Sequence, residues 1–207
     1  MLHGDDGADR IEGHECADVI TGDNGGDEIY CGDGDDEIRG GQGDDVIYGE
    51  AGDDEIHGDS EHDTIYGGDG IDHITGDGGN DDRYGEGGDD VIDGGDGNDE
   101  ITGGAGDDLI HGGANDDQIS GGDGQDFLYG DDGVDELCGD DEPGASNPDQ
   151  LFGGNGTDYL WGPMATCWGG GSHNAGSGDA GGDYCDNCST PGYLSCEYAL
   201  YTRPSCP

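Results

Sequence analysis

Large aliphatic residues recur in this chain every ninth position. Ile11, Ile20, Ile29, Ile38, Ile47, Ile56, Ile65 and Ile74 form one run. The series resumes at Ile92 and continues through Ile101, Ile110, Ile119, Leu128 and Leu137, then Leu151 and Leu160 after a shift of five residues. Neither the helical period of 3.6 nor the alternation of a single strand gives this spacing, whereas stacked short repeats do. Units begin at Gly4, Gly13, Gly22, Cys31 and so on to Gly139 and Gly153, seventeen in all, with the aliphatic residue at position eight in sixteen of them. The pattern predicts six residues of turn followed by three of strand. Two units close a coil of eighteen residues, so that residues 18 apart stack at about 4.8 Å, the spacing of parallel strands. Position eight then points inward and forms two facing aliphatic ladders, while positions seven and nine face out. The elements expected are short parallel strands, with no helix.

Position six carries the chemistry. It is aspartate in every unit: Asp9, Asp18, Asp27, Asp36, Asp45, Asp54, Asp63, Asp72, Asp81, Asp90, Asp99, Asp108, Asp117, Asp126, Asp135, Asp149 and Asp158. Glycines at positions one and four are expected to supply positive φ and close backbone approach. Asn115 replaces one of them, and Asn is among the residues that best tolerate a left-handed conformation. By the 18-residue spacing, Asp72, Asp90, Asp108 and Asp126 stand in one column, and Asp81, Asp99 and Asp117 stand in the opposite one. A glycine-rich turn can aim carbonyl oxygens at one point and Asp adds a carboxylate, which is the oxygen-only donor set a hard cation such as calcium takes.

Gly94–Thr102 reads G-G-D-G-N-D-E-I-T and Gly103–His111 reads G-G-A-G-D-D-L-I-H, both fitting G-G-x-G-x-D-x-U-x with U a large aliphatic residue. This resembles the calcium-binding nonapeptide of the RTX (repeats-in-toxin, hemolysin-type) family. The resemblance implies an all-β, right-handed parallel β-roll over residues 1–161, with calcium held between stacked turns by a carboxylate and carbonyls from each. Nine turns on one side and eight on the other leave room for about fifteen ions at most. Residues 162–207 fall outside the pattern and read as a small disulfide-rich C-terminal cap over the last coil.

Composition sharpens this. The 53 acidic residues against four basic ones give a net charge of −49, and only 29% of residues are hydrophobic. One buried aliphatic side chain per unit does not offset the ordering of nine residues and the repulsion among their charges, so something cationic must complete the fold. The charge excludes nucleic acid and an anionic bilayer as partners, and no apolar run is long enough to span a membrane. Gly/Asp-rich sequence is usually disordered linker, but a linker has no reason to keep Asp and an aliphatic residue two places apart through sixteen units. Catalytic carboxylate pairs are disfavoured because every Asp recurs identically. Neither an H-E-x-x-H zinc site nor a G-x-S-x-G elbow is present, and the chain is expected not to be an enzyme. Met1-Leu2-His3 leads straight into a repeat, with Leu2 nine residues before Ile11; no secretion leader is expected there.

Four departures stand out. Arg83 takes the inward position between Ile65 and Ile101, where an unpaired charge would be very costly. Either the strand distorts there or Arg83 reaches a neighbouring carboxylate. Ser60, Glu61 and His62 interrupt the turn before Asp63, which predicts a weak site. The unit from Gly139 has five residues too many, with Pro143 and Pro148 reading as a surface loop. Tyr30, Tyr48, Tyr66 and Tyr84 stand 18 apart at position nine and predict an outward aromatic ladder, either bracing the strands or offering a platform for sugar rings or another roll. The histidines, His57 and His111 among them, do not cluster at metal-ligand spacing and read as surface residues.

Eight cysteines and a calcium-linked fold point to an oxidising, extracellular or cell-surface setting. Cys16 and Cys31, at turn positions one coil apart, are expected to form a disulfide. Cys138 is expected to point outward and tether the tail, which carries Cys167, Cys185, Cys188, Cys196 and Cys206. Cys185-x-x-Cys188 suggests zinc, but no second matched pair follows. Three roles are open: a structural or adhesive calcium-binding module, an accessory domain of a larger secreted enzyme, or a self-assembling filament subunit. Expected partners are calcium ions and, depending on the role, the chain itself or extracellular glycans.

Overall fold

The computed structural model describes residues 1–139, 149–162, 166–168 and 184–186. Alternate strands belong to alternate sheets. The first sheet orders Leu2–His3, Val19–Asn24, Glu37–Gln42, Glu55–Ser60, His73–Thr75, Val91–Asp96, Leu109–Ala114, Phe127–Gly133, Gln150–Phe152 and Thr166–Trp168. The second orders Arg10–Glu15, Glu28–Asp33, Val46–Ala51, Thr64–Asp69, Asp82–Gly87, Glu100–Ala105, Gln118–Asp123, Glu136–Cys138, Tyr159–Trp161 and Tyr184–Asp186. All pairs are parallel, and through the regular repeats each residue meets the one 18 further on, as in Ile92↔Ile110 and Ile29↔Ile47. This is the two-unit coil that the period predicts, a parallel β-solenoid without helices among the described residues.

Most strands are six residues long rather than three. They run through positions seven to nine and on into positions one to three of the next unit, as in Glu28–Asp33. Glycine disfavours strand as an isolated residue, but here each coil lies against another that offers its N–H and C=O groups, and pairing extends through the glycines. The core is a single file of aliphatic residues per sheet, from Ile11 to Leu160, nearly all with no exposed surface.

Left-handed backbone falls at positions two and four, not one and four. Gly41 (φ 116°) and Gly43 (φ 121°) show the pair in one turn, and Asp59 (φ 74°) with Glu61 (φ 80°) in another. Position one is glycine for room in every unit but that of Cys31. A Cβ on Gly103 would collide with the carboxylate of Asp108 and the carbonyl oxygen of Gly121 in the next coil.

Of the two alternatives for Arg83, the carboxylate contact holds, while its own strand, Asp82–Gly87, keeps six residues in regular register with Ile65 and Ile101. The side chain is fully buried and reaches Asp81 and Asp99, and the backbone yields on the facing sheet. There His73–Thr75 is three residues long while its neighbours Glu55–Ser60 and Val91–Asp96 have six.

The extra residues of the unit at Gly139 do not disturb the stack. Register resumes with Leu128↔Leu151 and Leu137↔Leu160, and Pro143 and Pro148 lie outside the described residues. Each sheet gains one strand past Trp161, with Leu151↔Cys167 and Leu160↔Cys185 in register. Cys188, Cys196 and Cys206 lie outside the described residues, as does most of the expected cap.

The Cys16–Cys31 bond is not formed. Both thiols are free, because Cys31 packs wholly buried into the aliphatic core whereas Cys16 sits exposed in a left-handed turn position. Cys138, beside the inward Leu137 and in register with the outward-facing Ser120, is buried and disulfide-bonded.

Candidate metal-binding columns

The turns bring the sixth-position aspartates into two files along the roll. In each file the main-chain N–H of one Asp donates to Oδ1 of the Asp in the next coil. Asp90 donates to Asp108 at 2.8 Å, Asp108 to Asp126 at 2.9 Å, and Asp99 to Asp117 at 2.9 Å. The files bridge the irregular unit as well, with Asp126 donating to Asp149 and Asp135 to Asp158, each at 3.1 Å. The carbonyl of each Asp is engaged too; Leu109 N–H, for example, donates to Asp90 O at 2.8 Å. Every backbone group of the Asp is therefore committed to the stack, and one oxygen of its carboxylate with it.

The other oxygen is not. Oδ2 of Asp27, Asp36, Asp45, Asp54, Asp63, Asp72, Asp90, Asp99, Asp108, Asp117 and Asp135 is buried without a hydrogen-bonding partner. A carboxylate oxygen taken out of water and given no donor is a large unfavourable term unless a cation faces it. Apart from Asp36, whose unit begins at Cys31, each Oδ2 lies beside the first-position glycine of its own unit, and the same Cα faces a carbonyl oxygen of the next coil, as Gly85 faces Asp90 Oδ2 and Gly103 O. Carboxylate and carbonyl oxygens thus converge on a space that the first-position glycine leaves open. Among the described residues no three side chains of His, Cys, Asp or Glu gather as a metal cluster, so a bound cation would draw on main-chain carbonyls together with the aspartates. An all-oxygen set of this kind suits calcium and does not suit zinc or copper.

Burial shows in the acidities. Loss of solvent pushes Asp45 and Asp54 up to about 6, Asp72, Asp108 and Asp117 to about 7, and Asp63 and Asp135 to about 8. The N–H donated by the preceding coil pulls the other way, and neighbouring carboxylates add to the rise. Asp99 is raised by burial as well, with the Arg83 charge working against the rise.

Asp63 is held as regularly as the rest. It is buried, it accepts from Asp45 at 2.9 Å, and it donates to Asp81 at 2.8 Å. Ser60, Glu61 and His62 therefore do not distort the turn. Like the turn before Asp18, with His14 and Cys16, it puts non-glycine residues, Asp59 and Glu61, in the left-handed places that glycine would hold at no steric cost.

A second set of acceptors was not singled out by the nine-residue pattern. At position five, Asp35, Asp44, Asp53, Asp89, Asp107 and Asp116, with Asn80 and Asn98, accept the position-five N–H of the following coil. They point up the stack while the position-six carboxylates point down it, so both reach into the gap between two turns. The recurrence of Asp or Asn at this otherwise variable place was the available signal. At position two, Asp59, Asp77 and Asp131 each pair with a base 20 residues earlier: Arg39 at 3.1 Å, His57 at 3.2 Å and His111 at 2.8 Å. The histidines are thus lateral ties between coils.

The tyrosine ladder forms as spaced. Ring centroids of Tyr30, Tyr48, Tyr66 and Tyr84 follow at 4.7, 5.0 and 4.9 Å, nearly parallel. A second, unforeseen ladder of His111, Tyr129 and Phe152 lies on the other sheet. No helix among the described residues is long and apolar enough to cross a membrane.

The family model of the RTX calcium-binding nonapeptide repeat (4 copies) matches residues 1–29, 30–65, 57–92, 84–119, 111–142 and 144–162, nearly the whole roll. No curated protein matches the chain.

Proposed function

Because the chain belongs to the family of RTX calcium-binding nonapeptide repeats, we propose that it is an extracellular calcium-binding module whose columns of aspartate complete their fold only with the ion, and whose role is structural or adhesive. The observation that carries this reading is the series of buried Oδ2 atoms without donors. Calcium, when bound, supplies the positive charge that such a series calls for. The chain's own part is to hold each carboxylate by its Oδ1, keep the first-position glycine clear, and turn carbonyl oxygens into the same gap. Nothing in this arrangement singles out one aspartate for chemistry, which supports a non-enzymatic role.

A free-standing adhesive module is favoured over a sugar platform on the tyrosines. The inner rings of that ladder have both faces covered by their neighbours, and a sugar stacks on an open face. The disulfide at Cys138 supports a tail tied to the end of the roll, and an extracellular setting agrees with it.

Circular dichroism tests the reading. Chelator-treated protein should be expanded, and calcium in the range of about 10⁻⁴–10⁻³ M, typical of extracellular sites, should produce parallel β structure in one cooperative step. A spectrum that does not change on adding calcium overturns it.

A further inference from the structure

We propose that Arg83 is a built-in cation that replaces one calcium ion, closing the step from Asp81 to Asp99 to metal. The inference rests on the calcium reading above and concerns one step of it.

In a regular unit the space beside the first-position glycine is bounded by Asp Oδ2 and a carbonyl oxygen of the next coil, as at Gly85 and Gly103. At Gly76 that space is filled. A Cβ there would collide with Nη2, Cζ and Nε of Arg83. Nη2 donates to Asp81 Oδ2 at 2.8 Å and lies 3.1 Å from Asp99 Oδ1. The guanidinium therefore bridges one aspartate from each of two stacked turns, the relation an ion between those turns would have. Asp81 Oδ2 is correspondingly satisfied, while Oδ2 of Asp63 before it and of Asp99 after it has no partner. Only Nη2 makes these contacts, so the group acts as a charge placed in the gap rather than as a two-pronged clamp.

The backbone records the intrusion. The strand containing Thr75 stops at the residue before Gly76, and pairing returns only as isolated bridges from Gly78 to Ser60 and Asp96. An aliphatic residue at position 83 would leave the gap open and the strand on the other sheet at full length, as Glu55–Ser60 and Val91–Asp96 are in the coils of Ile65 and Ile101. One consequence is that the chain should bind one ion fewer than its turns allow. Another is that this step is neutralised at any calcium concentration.

The test is the number of calcium ions bound per chain at saturating calcium, counted on the whole chain by native mass spectrometry with equilibrium dialysis. Arg83→Ile restores the residue of the flanking coils and should bind one more ion than the unaltered protein; Arg83→Leu, using the residue found at this place in Leu128 and Leu137, should do the same. An equal non-zero count in parent and variants overturns this inference alone. A count of zero in all of them overturns the calcium reading and this inference with it. Failure of both variants to fold at saturating calcium also overturns it, because a step opened to calcium should be no weaker than its neighbours.

Discussion

Between Asp90 and Asp108 the gap holds a carboxylate oxygen with no donor, while between Asp81 and Asp99 the same gap holds a guanidinium. The two steps share the register, the buried aspartates and the N–H to Oδ1 bonds of 2.8 and 2.9 Å. They differ in one inward side chain, Ile92 in one and Arg83 in the other. The comparison separates what the coil geometry requires from what the ion supplies. Geometry comes from the stacked backbone and persists in both steps. The remaining requirement is positive charge in the gap, met from within the chain at one step and from solution at the others.

The largest test of that division uses protons in place of calcium. Burial raises the column carboxylates to about 6 for Asp45, about 7 for Asp72 and Asp108, and about 8 for Asp135, above the roughly 3.9 of an unfolded aspartate. A group whose acidity is weakened by folding binds its proton more tightly in the folded state. Its contribution is fully present below about pH 4 and is lost as pH rises through its folded value. Calcium-free protein should therefore gain β structure on acidification, between about pH 8 and pH 4, and lose it on return to neutrality. Circular dichroism after exhaustive removal of calcium measures this. A calcium-free chain that stays equally unfolded across that range would show that neutralising the columns is not enough.

A smaller effect distinguishes turns within the columns. Asp108 sits in a glycine-built turn, with Gly104 and Gly106 in the left-handed places, whereas the turn before Asp63 strains Asp59 and Glu61 at a cost of about 1–2 kcal/mol each. Binding there must first offset that strain. Asp108→Ala should cost about 3 kcal/mol and the larger share of bound calcium, and Asp63→Ala measurably less of both. Scanning calorimetry with metal counting decides the order, and equal losses would mean that backbone strain does not grade the sites.

The sequence made the coil, the two columns and the inward ladder legible because each depends only on spacing: an Asp and an aliphatic residue two places apart, repeated every nine. Features that depend on what the neighbouring coil offers were harder to see. Strands extend through the glycines because Gly40 and Gly41, and the same places in other units, find backbone partners in the coils beside them. Positive φ was expected at position one but falls at position two, since room and left-handed backbone leave the same residue, glycine, in the sequence. The pairing of Asp59 with Arg39 and of Asp77 with His57 spans 20 residues, two beyond the coil period, so the period alone did not show it. Cys16 and Cys31 are near in register, but position one points to the core and position four to solvent, a distinction the period alone does not carry.

The smallest difference between the two kinds of step lies on the outer face. The tyrosine ladder runs down the second sheet and ends on the strand that carries Arg83, where Tyr84 stacks on Tyr66 and its next neighbour in register is Thr102. Tyr66 has a ring on both sides, at 5.0 and 4.9 Å, while Tyr84 has one. Cross-strand aromatic pairs contribute roughly 0.2–1 kcal/mol each. Tyr66→Ala should therefore lower stability in saturating calcium by about 1 kcal/mol and Tyr84→Ala by about half of that, both well below the loss for Asp108→Ala. Thermal melts of the two variants measure the ratio. Should Tyr84→Ala prove the more costly, the ladder would be bracing the coil of Arg83 in particular, and the step closed by the guanidinium would depend on its outer face as well as on its inner charge.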